Sequence, residues 1–424
     1  MINLSDNFKA LISSSGTNFL FRIFGLMTAF LTTIIITRLY GMTTFGNYSL
    51  VFTISQATAM IFTLGVPNTL IKVIGNHNFN YYQAKQLLIK GLKGVLFFSI
   101  IPIIIFYFFA DYLAGTIFSN PALKHYFFIV TISLPLFVVH ELFLYFLIAT
   151  KKFIKYNLFM FLTPNVFLIA LLAIFYYFDY EGHYTFAAFA LAIAITVVLE
   201  AYTIFERKPT KHEMPFRTRD LLRTASPLMF SGLLLYLLNW TNTIMLGLLS
   251  DETQIGIYNT AYKVGSVGFL VIVSISTIVT PRMAELYGQG KLSELKKLTH
   301  NTTQLIAVLS IPIVLCLIFF REFILSLFGA EAIAGSTTLA IVAIGILFSA
   351  ISGNADQILN MTNNQKILRN ITFMCFILNL ILAYLLIPVY GIEGAAVASL
   401  ITNILINLVC VYYIKKRLGF YTLF

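Results

Sequence analysis

Apolar runs of about eighteen or more residues, the length that a membrane-spanning helix needs, recur from end to end of this 424-residue chain. Each run can cross the roughly 30 Å of hydrocarbon in a bilayer. The runs are continuous and rich in Ile, Leu and Phe, whereas the strands of a membrane barrel alternate in polarity over short segments. The sequence therefore predicts an all-α integral membrane protein.

The low charge of the chain supports this prediction. Apolar residues make up 59% of the sequence and charged residues 11%, against about 25% charged in a typical soluble domain. The first apolar run shows no small-residue cleavage pattern before Arg38, so we expect no cleaved signal peptide. Cys316, Cys375 and Cys410 all fall within apolar runs, which favours small buried side chains over a disulfide framework.

Polar breaks divide the chain into about 12 transmembrane helices. The predicted spans are 17–39, 46–73, 87–109, 124–149, 153–177, 185–206, 221–249, 255–283, 299–320, 336–360, 367–388 and 392–414. The longest connection, residues 207–220, lies at the middle of the chain and is its one candidate linker. We therefore predict two six-helix bundles, residues 1–210 and 211–424.

The distribution of Lys and Arg predicts the orientation, because positive residues favour the cytoplasmic side. With a cytoplasmic N-terminus, all but five of the 28 Lys and Arg residues fall on that side or at its helix ends. The exceptions are Arg22, Arg38, Lys124, Lys263 and Arg321. Acids gather in the opposite loops, at Asp111, Asp179, Glu181, Asp251, Glu252, Glu322, Glu331 and Glu393. Both termini are therefore expected in the cytoplasm, and the net charge of +11 needs no nucleic-acid partner.

Two short motifs each occur twice, and the two copies are separated by about half the length of the chain. Residues 45–48, Phe-Gly-Asn-Tyr, open the second span, and residues 255–258, Ile-Gly-Ile-Tyr, open the eighth. Glu181-Gly182 lies just before the sixth span, and Glu393-Gly394 lies at the start of the twelfth. Because six spans return the chain to the same side, the halves are expected to be related by a parallel pseudo-two-fold repeat, with substrate between them.

With these motifs the sequence resembles the polysaccharide repeat-unit flippases (the Wzx type) of the multidrug/oligosaccharidyl-lipid/polysaccharide exporter superfamily. The resemblance spans the whole chain. Its motifs are Arg38-Leu39-Tyr40-Gly41, residues 45–48, Gly65-Val66-Pro67, Ser226-Pro227, residues 256–263, Pro281 and residues 387–396.

The resemblance implies two six-helix bundles in a MATE-like V shape, with a lumen walled chiefly by helices 1, 2, 7 and 8. It implies transport of undecaprenyl-pyrophosphate-linked glycans, such as O-antigen repeat units, across a bacterial inner membrane. The implied partners are this lipid-linked glycan, membrane lipids, and a polysaccharide polymerase with its chain-length machinery. The chain departs from the family late in helix 7, where many members carry an acid and this sequence has residues 239–242, Asn-Trp-Thr-Asn.

Three cations are predicted to meet the pyrophosphate, because a charge within a span is costly and so indicates function. Lys263 lies deep in the eighth span, and Asn259 and Ser266 share its face; the alternative is a structural pair with an acid on another helix. Arg22 lies nearer the cytoplasmic end of the first span, where snorkelling is the alternative. Arg38 is either an anchor at the outer interface or a residue that lines the exit.

Polar and acidic residues complete the predicted site. Asn18, Gln56, Asn242 and Asn259 are expected to offer polar groups to a lumen, although polar side chains also join helices. Glu141 and Asp356 are candidates for ion coupling, since burial raises a carboxyl pKa. Each could instead pair with a Lys or Arg.

The chain lacks the motifs of several enzyme classes. The HExxH pattern fails because residue 144 is Leu, and no phosphate-binding loop motif occurs. We therefore predict a transporter with no covalent chemistry, cofactor or metal site. The alternatives are a multidrug extruder or lipid II flippase of the same superfamily, or a membrane polysaccharide polymerase or acyltransferase.

Overall fold

The computed structural model describes residues 6–77, 79–206, 225, 236–238 and 240–422, with side chains described from residue 20 onward except at 76–77. Within these ranges every regular element is helical. Among the described residues, nine helices are long and apolar enough to cross a membrane, or ten if a pair bent by 48° is counted as one span. The predicted all-α membrane fold is confirmed. The chain forms two compact units, Met1–Leu233 and Leu234–Phe424.

Seven helices of twelve or more residues build most of the described part of the first unit. They are α1 (Asp6–Ile35, continued by a π turn, Ile36–Tyr40), α2 (Met42–Phe62), α3 (Val66–His77), α4 (Tyr81–Phe108), α5 (Leu123–Ala149), α6 (Phe153–Tyr177) and α7 (Tyr184–Phe205). Helix α4 begins with a capping box, in which Asn80 and Gln83 exchange hydrogen bonds of 2.9 and 3.1 Å. This box explains why α4 begins six residues before the predicted span.

Helix α5 lies at the centre of the first unit, where it contacts α2, α3, α4, α6 and α7. Its sequence is apolar on every face, as expected of a helix enclosed by others. Leu134, Val138, Leu142 and Phe146 are fully buried along it. By contrast, α1 exposes large apolar side chains, including Leu20 and Met27, which suit a lipid-facing surface.

The second unit contains α8 (Glu252–Gly265), α9 (Phe269–Gly288), α10 (Leu292–Phe319), α11 (Ser336–Ser352) and α12 (Ala355–Met361). Its longest helical stretch, Gln365–Leu418, is broken at Gly391, which has φ 53° and ψ −129°. We therefore treat it as α13 (365–390) and α14 (392–418), in agreement with the last two predicted spans. Helix α11 contacts α8, α10 and this final stretch, so the fourth span of the second half is central, as α5 is in the first.

Three predicted spans are broken in the structure. The second divides between α2 and α3 at Leu64 and Gly65, both with positive φ, and Pro67 follows in the first turn of α3, where a missing N–H costs little. The eighth passes through a 3₁₀ turn, Ser266–Gly268. The tenth breaks between α11 and α12 at Gly353, which has φ +70° and thus a backbone that only glycine adopts readily.

Parts of the prediction lie outside the described residues. These are the linker 207–220, most of the seventh span, Ser226-Pro227, Asn239 and the side chain of Asn18. The boundary between residues 210 and 211 therefore stays a prediction. All three cysteines are free, and Cys375 and Cys410 are buried as expected, whereas Cys316 is exposed on α10.

Candidate functional site

A cavity of about 660 Å³ with mixed polar and apolar walls lies in the second unit. Helices α8, α9, α11, α12, α13 and α14 all contribute to its wall. The polar residues that line it are Tyr262, Ser276, Thr277, Thr280, Ser349, Asn354, Asp356, Gln357, Asn379, Ser399, Thr402, Asn403 and Asn407. Among the described lining residues, Asp356 is the one charged side chain, and Lys and Arg are absent. The cavity is therefore suited to a neutral polyhydroxylated or a cationic ligand.

One wall of the cavity is a polar stripe on α14. Ser399, Asn403 and Asn407 follow one another at intervals of four residues, which places them on one face of the helix. The Asn403 Oδ1 atom accepts hydrogen bonds from Ser349 Oγ at 2.7 Å and from Asn407 Nδ2 at 2.8 Å. These bonds tie α14 to α11 and fix the orientation of the two carboxamides.

A second network surrounds Asn242, a predicted lumen residue. Its Nδ2 donates to Ser399 Oγ, and its Oδ1 accepts from Asn379 Nδ2 at 3.4 Å. The Tyr258 hydroxyl is hydrogen-bonded to the Asn242 and Ser399 side chains as well. Asn242 is buried, so its carboxamide forms part of a buried neutral network.

This network predicts the effect of replacing Asn242 by Leu. Removal of the carboxamide leaves buried polar atoms of Asn379 and Tyr258 unmatched, each costing about 1–3 kcal/mol. We expect Asn242→Leu to lower the thermal unfolding temperature of the purified protein in detergent. Asn370→Leu, the same change at an exposed position, is the control, and an equal effect of both substitutions would contradict the network's role.

The break between α11 and α12 places a polar atom at the cavity wall. Asn354 Oδ1 accepts a hydrogen bond from Ser276 Oγ at 2.7 Å, whereas its buried Nδ2 has no hydrogen-bond partner among the described residues. Asp356 follows in the first turn of α12, is exposed, and accepts a 3.0 Å hydrogen bond from Gln357. A ligand in the cavity would therefore meet the Asp356 carboxylate, whereas the Asn354 amide nitrogen is buried.

The three predicted cations are not among the residues that line this cavity. Lys263 is partly buried in the last turn of α8, where its carbonyl accepts a 2.8 Å hydrogen bond from Ser266 Oγ. Arg22 is partly buried on α1 and acts electrostatically on Tyr156 of α6. Arg38 is exposed in the π turn that follows α1.

The remaining predicted residues occupy different surroundings. Gln56 is partly buried on α2. Asn259 is buried, and its side chain accepts from Thr243 Oγ1 at 2.9 Å and donates to the Ile255 carbonyl at 2.8 Å. Both polar groups of the Asn259 side chain therefore have hydrogen-bond partners within the second unit.

Glu141 lies beside a buried pair that the sequence did not predict. It is partly buried on α5 and acts electrostatically on Tyr145. The preceding residue, His140, is joined to Glu200 of α7 by a 3.0 Å contact between Nδ1 and Oε2. The sequence shows Glu200 as an acidic residue within an apolar run. Its partner His140 is 60 residues away, and no local sequence pattern indicates that the two are paired.

Comparison with known proteins agrees with the fold and the resemblance. The family model described as "Polysaccharide biosynthesis protein" matches residues 11–287, and the MatE model matches residues 227–385. The capsular polysaccharide biosynthesis protein CapF of Staphylococcus aureus is 29% identical over 201 residues, which cover 47% of this chain and 50% of CapF. The chain thus spans about half the length of this curated relative.

Two solved structures share the fold over almost the whole chain. An inward-facing multidrug resistance MATE family transporter of the MOP superfamily matches with a TM-score of 0.78 at 14% identity, covering 93% of this chain and 94% of that one. The lipid II flippase MurJ matches with a TM-score of 0.78 at 17% identity, covering 95% and 87%. The chain therefore has the MATE-like membrane fold.

Proposed function

Because this chain belongs to the polysaccharide biosynthesis protein family, whose model matches residues 11–287, we propose that it is a flippase. Its proposed substrate is an undecaprenyl-pyrophosphate-linked oligosaccharide repeat unit, moved from the cytoplasmic to the outer leaflet by alternating access. The family match is the observation that carries this proposal. It covers the first unit from residue 11 onward and extends in the second unit to the last turn of α9.

The proposed ligands of the pyrophosphate are Lys263, Arg22 and Arg38. Lys and Arg form charge-assisted hydrogen bonds with phosphate oxygens, and a planar guanidinium can bind two of them at once. Asn18, Gln56, Asn242 and Asn259 are the proposed polar contacts. Glu141 and Asp356 remain candidates for ion coupling.

The cavity of the second unit supports a role in handling sugars. Its carboxamide and hydroxyl groups can both donate to and accept from sugar hydroxyls, and its volume of about 660 Å³ is within the usual range for a small-molecule site. The proposed setting is the bacterial inner membrane, with both termini cytoplasmic. The proposed partners are membrane lipids and a polysaccharide polymerase with its chain-length machinery.

One observation favours a second candidate function, the export of lipophilic cations. The cavity carries the Asp356 carboxylate and, among its described lining residues, no compensating Lys or Arg. A carboxylate in a partly apolar cavity attracts an organic cation.

Thermal stabilisation by ligand separates the two functions. A ligand that binds only the folded state adds about 2.7 kcal/mol of stability at a concentration of 100 times its Kd. We expect the purified protein in detergent to be stabilised by an undecaprenyl-pyrophosphate-linked glycan but not by undecaprenol, which lacks the charged and sugar groups. Stabilisation by a lipophilic cationic dye alone would instead favour export.

A further inference from the structure

The first unit contains a buried histidine–carboxylate pair to which the proposed function gives no role. His140 Nδ1 and Glu200 Oε2 are 3.0 Å apart and join α5 to α7. The Glu200 side chain is 0% exposed and the His140 side chain 13% exposed. The pair is therefore nearly sealed from solvent.

The second oxygen of Glu200 is in a costly position. Its Oε1 atom is buried and has no hydrogen-bond partner among the described residues. A buried carboxylate normally gathers several donors or neutralises itself by taking up a proton. Among the described residues, the Glu200 carboxylate has one hydrogen-bond contact, with the His140 imidazole. One additional proton, shared by the two side chains, would neutralise the negative charge of the pair.

The proton balance of the pair is simple. With neutral His140 and ionised Glu200 the net charge is −1, and uptake of one proton by either side chain makes the pair neutral. The two groups share one hydrogen bond, so a single added proton neutralises both of them together. Only an N–H or O–H bond forms or breaks, and the proton comes from one aqueous side and can leave to the other.

The charged neighbours on α4 and α5 do not neutralise the negative charge of the unprotonated pair. On α5, Glu141 is adjacent to His140 and acts on it electrostatically, which adds negative charge. On α4, the Lys85 ammonium lies 4.8 Å from the centre of the Phe205 ring, a cation–π contact near the end of α7. His140 is the group that acts electrostatically on Glu200 and hydrogen-bonds to it.

The other helices packed against α5 contribute little charge to the pair. Helix α2 has no acidic, Lys, Arg or His residue. On α3, Lys72 is exposed and the His77 side chain lies outside the described residues. On α4, the Tyr81 hydroxyl donates to the Ile204 carbonyl at 2.9 Å, and on α6 Tyr156 interacts with Tyr145 and Arg22.

We propose that the His140–Glu200 pair is the site at which this transporter binds and releases a coupling proton. This inference rests on the transport function proposed above. In a sealed bundle the pair holds the proton and is neutral, and hydration of the pair during transport stabilises the charged form and releases the proton. The energy of a proton gradient thus enters the cycle through α5 and α7.

A matched pair in the same unit provides the control. His183 Nδ1 and Glu181 Oε2 are 3.2 Å apart, but the Glu181 side chain is 81% exposed. Glu181→Gln removes a carboxylate from a similar contact that water already solvates. Glu200→Gln removes the buried carboxylate while its amide oxygen can still accept a hydrogen bond from Nδ1, so the tie between α5 and α7 is preserved.

The first test is the steady-state leaflet ratio of a fluorescent undecaprenyl-pyrophosphate glycan in proteoliposomes. For one proton exchanged per glycan, an imposed gradient of one pH unit supports a ratio of about ten. We expect wild type and Glu181→Gln to reach this ratio, and Glu200→Gln to reach a ratio of about one while still equilibrating the probe. A leaflet ratio of about ten in Glu200→Gln would overturn the proposal. A ratio that falls to about one in Glu141→Gln but not in Glu200→Gln would also overturn it.

The second test detects the proton without any substrate. Infrared difference spectra, recorded as the pH is stepped, follow the protonation of carboxyl and imidazole groups. The bands assigned to the pair should be absent from both Glu200→Gln and His140→Gln and present in Glu181→Gln. Spectra of the first two variants that match wild type would overturn the proton site. If wild type moves no probe, the transport function fails, and these spectra still decide whether the pair binds a proton.

Discussion

Replacement of Lys263 by Ala is expected to slow leaflet transfer by about 30-fold or more, the equivalent of about 2 kcal/mol for one truncated partner of a desolvated charge pair. Lys263 lies in the last turn of α8, directly before the 3₁₀ turn Ser266–Gly268. A pyrophosphate that crosses the membrane needs cations to offset its loss of water. The initial rate of transfer in proteoliposomes measures the effect.

Two further substitutions separate charge from bulk at this position. Lys263→Arg keeps the positive charge and is expected to retain much of the transfer rate. Lys297→Ala removes an exposed Lys of α10 and should leave the rate unchanged. Wild-type transfer by Lys263→Ala would show that Lys263 is a structural cation, and the proposed phosphate ligands would then be reduced to Arg22 and Arg38.

Gly394→Ala is expected to destabilise the second unit by about 3 kcal/mol or more, at the upper end of the cost of overpacking. An added Cβ would lie 2.3 Å from the Leu386 carbonyl oxygen and 2.6 Å from its carbon. Both atoms are backbone, so no side-chain rotation relieves the clash. The chain comes this close to itself because it turns sharply at Gly391 between α13 and α14.

The loss is measured as the thermal unfolding temperature, or as the yield of monodisperse protein in detergent. Gly288→Ala is the matched control, because a Cβ at Gly288 meets no atom within 4 Å. We expect Gly288→Ala to behave as wild type. Equal stability of the two variants would contradict the close approach at Gly394.

Much of the fold could be predicted because a bilayer imposes a simple rule on sequence. Apolar length and polar breaks located α5 and α6 to within a residue at each end, since lipid leaves no alternative to a helix. The breaks inside spans could not be predicted in the same way. Gly353 looks like any glycine in an apolar run, and its positive φ becomes evident only where the chain passes over Thr303 of α10.

The candidate site was less predictable because its chemistry depends on partners that are distant in sequence. Asn242 was recognised as polar within a span, but its bonds to Ser399 and Asn379 cross more than a hundred residues. The stripe of Ser399, Asn403 and Asn407 was readable from its four-residue spacing and was missed. Glu200 was visible as an acid in an apolar run, whereas its pairing with His140 needed the packing of α7 on α5.

The most direct measurement is leaflet transfer of a fluorescent undecaprenyl-pyrophosphate glycan in vesicles that contain the purified protein. A membrane-impermeant quencher added outside reports the fraction of probe in the outer leaflet over time. A flippase predicts that the protected fraction decreases in vesicles with the protein and not in protein-free vesicles. A protected fraction that stays equal in both, with or without an imposed proton or sodium gradient, would contradict the proposed function.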